Sequence, residues 1–316
     1  MNKNKTILVT GCGGDIGTSV GRILKESFLN YKIIGADITL DSAGKFIFDF
    51  IELLPRADSA NYFSSLSKLI SNHLIDLIIP ISEAEIRLFF KNNYCDYFEN
   101  IPVIMPNSKT FEYSHDKFKT PLLLSQLKLP NPWTLLVNEE PLTLPCVIKN
   151  RGLNGKGGIE LVNSDSIAYF RQTRPNDLWQ EYLQGDEYTC GLYGTCTGEF
   201  RSIIFKRKLF KGNSGFTVSG EVIENNDIHL LLNSLATGLE LRGSCNIQLR
   251  LTPKGPMIFE INPRFSSTVM FRHKLGFKDV IWSCYEAFGM KPAIYIAPTL
   301  GIRFYKGFTE YLDYPS

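Results

Sequence analysis

Glu260 and Asn262 sit two positions apart in the apolar run 257–262, Met-Ile-Phe-Glu-Ile-Asn. If that run is a strand, its side chains alternate and these two oxygen-bearing groups share one face. The run 245–251 precedes it across Thr-Pro-Lys-Gly-Pro, a turn signal. Folding about that turn brings Gln248 opposite Glu260 and adds a third side-chain oxygen. Hard oxygen donors on one face suit magnesium, with water and phosphate oxygens completing an octahedron. Gln248, Glu260 and Asn262 are therefore the candidate metal ligands, and Glu260 carries their single formal charge.

A second group of residues suits phosphate. Lys149 lies near the end of the predicted strand 146–150, and that strand is followed by Arg-Gly-Leu-Asn-Gly-Lys-Gly-Gly, 151–158. A strand holds one ammonium in a fixed direction, and glycines let backbone N–H groups approach an anion closely. Gly155, Gly157 and Gly158 are the loop candidates. The pattern is not a P-loop, because Lys156 is followed by Gly157 and not by Ser or Thr. Nor is it a protein kinase, whose glycine loop comes before the strand lysine.

A third group points elsewhere. Gly11-x-x-Gly14-x-x-Gly17 follows the strand-like run 6–10 and opens a helical pattern, with Asp37 further on. That is the context of a dinucleotide-binding turn. Tyr113-x-x-x-Lys117 also matches the active-site pair of short-chain dehydrogenases and sugar-nucleotide epimerases, which makes an NAD(P)-dependent enzyme the alternative reading. Against it, the helix carrying the pair is cut at Leu129-Pro130, and the second half of the chain reads as antiparallel. The glycine turn otherwise serves to pack the first helix on the sheet.

The elements that must position these residues follow from periodicity. Strands at 6–10, 32–37, 74–80 and 101–105 alternate with helices at 60–72 and 82–91, which predicts a parallel, doubly wound lobe over 1–107. A helix at 114–127, a strand at 146–150, a helix at 164–173 and a strand at 178–183 predict a small α+β lobe over 108–185. Strands at 188–193, 200–210, 245–251 and 257–262, with a helix at 227–237, predict an antiparallel lobe over 186–316.

Taken together, Asp116-Lys117, the strand lysine with its glycine loop, Glu181-Tyr182-Leu183 with Glu187-Tyr188-Thr189, and Glu260-x-Asn262-x-Arg264 resemble the ATP-grasp superfamily. The resemblance spans nearly the whole chain and is strongest to the carbamoyl-phosphate-synthetase-like group, which places glutamine at the position of Gln248 where many members have an acid. It implies a three-lobed ATP-grasp fold with an N-terminal Rossmann-like lobe. It also implies ATP and Mg²⁺ as cofactors, and an ADP-forming ligase that joins a small-molecule carboxylate to an amine through an acyl phosphate. By the same resemblance Glu181, Tyr182 and Leu183 form the hinge that reads adenine, and Glu187 accepts from the ribose hydroxyls. Lys117 adds a cation at the phosphates, and Arg207 or Lys208, before the expected loop 211–220, adds another. Arg264 and Lys149 are the implied catalytic residues, with Arg264 facing the transferred phosphoryl group. By position alone, Gly11–Gly17, Ser82, Glu83, Ser266, Ser267 and Arg272 are candidates for the substrate sites. A non-catalytic ATP-binding regulator is the other alternative, opposed by retention of all the metal and phosphate groups.

Bulk properties narrow the classes. The 316 residues carry 34 basic and 32 acidic side chains, net +2, which gives no general attraction to nucleic acid or anionic lipid. No apolar run approaches the ~20 residues of a membrane span. The seven cysteines form no C-x-x-C pair and there is no H-E-x-x-H, so zinc is not expected and the thiols read as reduced. No signal sequence is apparent before the first strand, so the chain reads as a soluble cytoplasmic protein, and a homodimer is an allowed assembly.

Overall fold

The computed structural model describes residues 4–152, 158–211, 216–307 and 309–313. The chain divides into two compact units. The first comprises Met1–Pro106, Arg264–Ala297 and Lys306–Ser316, and the second Asn107–Pro263 and Pro298–Tyr305.

In the first unit, β1 (Thr6–Thr10), β2 (Lys32–Asp37), β3 (Phe50–Leu53) and β4 (Leu77–Pro80) form a parallel sheet in the order β3-β2-β1-β4. β1 is buried along its whole length because both faces of the sheet are covered. Ile7 and Val9 face one core with Val20, Ile23 and Leu24 of the helix Asp15–Ser27. Leu8, Ile34 and Ile78 face the other core with Tyr62, Leu66 and Phe89. The first of these cores is completed from far along the chain, by Phe265, Val269, Val280, Ile281 and Cys284. The stretch expected as one lobe over 186–316 is therefore divided, because the helices Val269–Lys274 and Asp279–Ala287 carry apolar faces that belong to the first sheet.

Several elements differ from the periodicity reading. The strand expected from 74 begins at Leu77, because Leu74 takes a left-handed φ of 53° and closes the helix Tyr62–His73. The strand expected over 101–105 is a two-residue piece, β6 (Ile101–Pro102), paired antiparallel with β5 (Tyr97–Phe98), and Val103 makes one parallel bridge to Ile78. β3 escaped notice because its pattern of exposure lacks a buried face.

Arg272, a candidate for substrate contact by position, is instead fully buried. Its guanidinium pairs with Asp279 at 3.1 Å and donates to the Ser266 hydroxyl at 3.0 Å, with both charged side chains 0% exposed. It ties the two late helices together.

In the second unit, β7 (Thr134–Leu136), β8 (Cys146–Lys149), β9 (Glu160–Val162) and β10 (Leu178–Glu181) form an antiparallel sheet in the order β7-β10-β8-β9. A six-stranded antiparallel sheet follows, built from β11 (Asp186–Gly194), β12 (Phe200–Lys211), β13 (Phe216–Val222), β14 (Gly243–Thr252), β15 (Gly255–Asn262) and β16 (Arg303–Tyr305). Its order is β15-β14-β11-β12-β13-β16. One face is apolar: Tyr188, Cys190, Leu192, Ile204, Cys245, Ile247, Leu249, Ile258 and Ile261 pack on the helix Asn226–Leu239 and on Leu123 and Leu124. The expected loop 211–220 is mostly strand, since β12 runs to Lys211 and β13 starts at Phe216. The helix expected over 114–127 is two, Ser108–Ser114 and Lys119–Gln126. Asp116 lies in the break, where its carboxylate accepts from the Phe118 N–H at 3.0 Å and competes with helical bonding.

Removing one partner of a buried ion pair leaves the other charge uncompensated, at a cost of about 3–5 kcal/mol. Asp279→Ala is expected to lower the urea midpoint of unfolding accordingly, by stranding Arg272. A midpoint equal to that of the wild type would show that the pair contributes no stability.

Candidate active site

The apolar face of the six-stranded sheet dictates what the other face carries. With Ile247 and Leu249 in the core, Asn246, Gln248 and Arg250 must point the opposite way. The registers then assemble cross-strand rows. Arg250 lies opposite Glu187, Gln248 is flanked by Thr189 and Glu260, and Asn246 is flanked by Gly191 and Asn262. The hairpin expectation is met: Gln248 pairs with Glu260, and Glu260 and Asn262 share the face. Among the described residues, the side chains of Gln248 and Asn262 make no hydrogen bond, and Glu260 has only an ion pair with Lys117 at 3.6 Å. One carboxylate and two amide oxygens in adjoining positions could meet a hard cation, and the described residues contain no group of three His, Cys, Asp or Glu side chains that could hold a metal.

A bulge tunes this arrangement. Gln248 faces Glu260 but Leu249 faces Ile258, so Phe259 is the extra residue of β15. Its carbonyl is released from the ladder and accepts from the Lys149 ammonium at 3.0 Å. Lys149, on β8, is 5% exposed. Burial pushes its pKa down to about 8; Glu260 acts in the opposite sense and Lys117 adds to the lowering. Lys117 is itself held in place. Its backbone N–H donates to the Arg151 carbonyl at 3.1 Å, and the neighbouring Asp116 takes a bidentate pair from Arg151 at 2.8–3.2 Å. The start of the glycine segment is thus braced to the lysine that meets Glu260.

Glu187 receives a guanidinium on each oxygen: Arg207 on Oε1 and Arg250 on Oε2, the latter at 2.7 Å. Arg207 is buried beside it, whereas Lys208 is half-exposed and lies 3.4 Å from Glu221. The structure therefore separates the two basic candidates that the sequence left undecided. At the hinge, Glu181 uses its N–H on the Trp133 carbonyl at 3.0 Å. Among the described residues the N–H groups of Tyr182 and Leu183 have no partner, and Leu183 is buried while Tyr182 is exposed. Gly155 and Gly157 lie outside the described residues. Gly158, at the exit of that segment, has its carbonyl held by Arg174 at 3.0 Å. Arg174 also pairs with Asp177, which accepts from Asn150 at 2.9 Å at the segment's entrance.

Arg264 belongs to the first unit, where its guanidinium meets Glu83 at 2.9 and 3.1 Å. In the same unit the dinucleotide-type turn is closed on itself. The Asp37 carboxylate accepts from the Gly13 N–H at 2.7 Å, taking a donor that a pyrophosphate would need. Tyr113 packs against the core of the second unit. Sequence reasoning missed Arg250, Asn246 and the Asp116–Arg151 brace. Counting alternate positions outward from Gln248 would have found Arg250.

Residues 173–302 match the family model described as ATP-grasp in the biosynthetic pathway with Ter operon. Among solved structures, the chain is similar to the ADP complex of purK, an N5-carboxyaminoimidazole ribonucleotide synthetase. That match has 17% identity and a TM-score of 0.71 and covers 90% of this chain and 77% of that one. An L-amino acid ligase from Bacillus licheniformis matches at 15% identity and TM-score 0.70, over 91% and 75%. The biotin carboxylase domain of the Hydrogenobacter thermophilus 2-oxoglutarate carboxylase, in complex with MgADP, ADP and bicarbonate, matches at 14% and 0.74, over 93% and 72%. No curated protein matches the sequence. The chain has the ATP-grasp fold.

The lowered pKa of Lys149 gives a sign for stability. Its proton is bound less tightly in the folded state, so its cost is full below about pH 8 and fades as pH rises from there towards the unfolded value of 10.5. Lys149→Met is therefore expected to be at least as stable as wild type at pH 7 without nucleotide, by thermal unfolding, with the difference shrinking above pH 8. A variant less stable than wild type at pH 7 would contradict this sign.

Proposed function

We propose that this ATP-grasp chain is an ATP-dependent carboxylate–amine ligase, ADP-forming, working in the cytoplasm on small molecules and capable of acting as a homodimer. The observation that carries this reading is the row in which Gln248 faces Glu260, with Lys117 on the same carboxylate and Lys149 held at the adjoining bulge. One face thus offers metal-ligating oxygens beside two ammonium groups, which is what a magnesium-bound polyphosphate requires. Among the described residues, no helix is long and apolar enough to cross a membrane.

Each residue has a distinct part. Glu260, Asn262 and Gln248 would hold Mg²⁺, whose charge neutralises the phosphate oxygens. Lys149 and Lys117 bind phosphate oxygens, with Arg207 preferred over Lys208 as the further cation. Tyr182 and Leu183 offer free N–H groups to the adenine edge, and Glu187 accepts from the ribose. The glycine segment ending at Gly158 supplies backbone donors. The substrate carboxylate attacks the γ-phosphorus, the bond to the β-phosphate oxygen breaks, and ADP leaves. Arg264, which follows the metal-binding pair in the chain, offsets the charge gathering on the transferred oxygens. The amine then attacks the acyl carbon and displaces phosphate, giving the amide. Gln248 in place of an acid is the basis for a carbamoyl-phosphate-synthetase-like grouping.

The test is ADP release against a panel of carboxylates paired with amines, with and without magnesium. Glu260→Gln preserves shape and removes the charge, so turnover is expected to fall by about two orders of magnitude or more with the fold intact. Gln248→Glu is expected to tighten magnesium dependence and stay active. A Glu260→Gln enzyme with wild-type magnesium dependence would remove the metal site, and a thermal response to NADP without one to ADP would remove the ligase reading.

A further inference from the structure

Arg250 lies outside the metal row, one row further along the polar face. Its Nη2 donates to Oε2 of Glu187 at 2.7 Å, and its Nη1 donates to the Gly185 carbonyl at 3.0 Å. Gly185 is pinned there by sterics as well. Its φ is +126°, and a Cβ would lie 2.1 Å from the Leu251 carbonyl oxygen, so only glycine fits. One guanidinium therefore holds two things at once: the last turn of the segment that ends at Gly185, and the carboxylate of Glu187, the second residue of β11. Arg207 holds the other oxygen of that carboxylate.

We propose that Arg250 is a positioning residue that makes the nucleotide site selective for a ribose bearing both hydroxyls. This rests on the reading of Glu187 as the ribose acceptor. A carboxylate has about four lone-pair positions. The two guanidinium groups occupy one on each oxygen, and the two that are left are fixed in direction by the planar fork of each arginine. Vicinal hydroxyls can fill both. A deoxyribose leaves one fixed acceptor without its donor, and a site built around a hydrogen bond rejects an analogue that lacks it. Without Arg250 the Glu187 side chain turns freely about its Oε1 contact and can satisfy itself with water, so the discrimination goes while the phosphate contacts stay.

The experiment is calorimetric titration of the full chain with ADP and with 2′-deoxy-ADP, both in excess magnesium. Wild type is expected to bind ADP about tenfold more tightly than the deoxy compound. Arg250→Met is expected to bring that ratio close to one, and Arg250→Lys to restore part of it, while the unfolding midpoint without nucleotide stays near that of wild type in both. Glu187→Gln is the control for the underlying reading. If it keeps the wild-type ratio, or if wild type shows no preference, Glu187 does not read the ribose and the proposal falls with that assignment. If Glu187→Gln loses the preference but Arg250→Met weakens both nucleotides equally and keeps the ratio, the ribose assignment stands and the role given to Arg250 is wrong.

Discussion

Side chains on a strand alternate, and in the six-stranded sheet that single constraint sorts an apolar core from a polar face. Cys245, Ile247 and Leu249 must be buried for the helix Asn226–Leu239 to have a partner, so Asn246, Gln248 and Arg250 have no choice of direction. The same holds on β11, where Tyr188, Cys190 and Leu192 face inward and Glu187 and Thr189 outward. A register slip of one residue in either strand would bury a charge and expose the core together. Hydrophobic burial thus holds the positions of groups that themselves contribute little to stability. The ladder departs from this regularity at Phe259, where it yields a carbonyl to Lys149, and again between β12 and β13, where the register shifts from Arg207 to Phe210.

The charges on that face are arranged at some cost. Lys149 is buried beside a carbonyl and a carboxylate that only partly offset its desolvation, which is why its pKa falls. Glu187 sits between two guanidinium groups, and Lys117 is steered by a bidentate pair one residue away. Counting Lys117, Lys149, Arg207 and Arg250 against Glu187 and Glu260, cations outnumber anions around the row. The polyphosphate of the proposed function would balance this excess of positive charge.

Much of this is legible in the sequence alone. The hairpin that sets Gln248 against Glu260 followed from two apolar alternations and a turn, and the parallel order of the first lobe from alternating strands and helices. What periodicity could not show is where a pattern stops. Leu74 fits the strand pattern yet closes a helix in a left-handed conformation, and Asp116 breaks a helix by bonding its own neighbours. Arg272 looked available and is buried, because the Asp279 that neutralises it is one helix away and nothing in the spacing announces the pair. Arg207 and Lys208 were inseparable as letters; a register shift after Arg207 and their different partners, Glu187 for Arg207 and Glu221 for Lys208, divide them.

The divided make-up of the first unit has a consequence for how the chain is made. Its sheet is complete within the first hundred or so residues, yet the face formed by Ile7 and Val9 is covered in part by Phe265, Val269, Val280, Ile281 and Cys284. During synthesis from the N-terminus, that face emerges from the ribosome long before its cover does, and all of the segment Asn107–Pro263 is translated in between. The later unit can bury its own core first, apart from the short edge strand β16, while the earlier one waits with apolar surface open. For this chain, one face of the first sheet cannot be fully covered until the segment after Pro263 has been made, so its apolar residues stay open through most of synthesis.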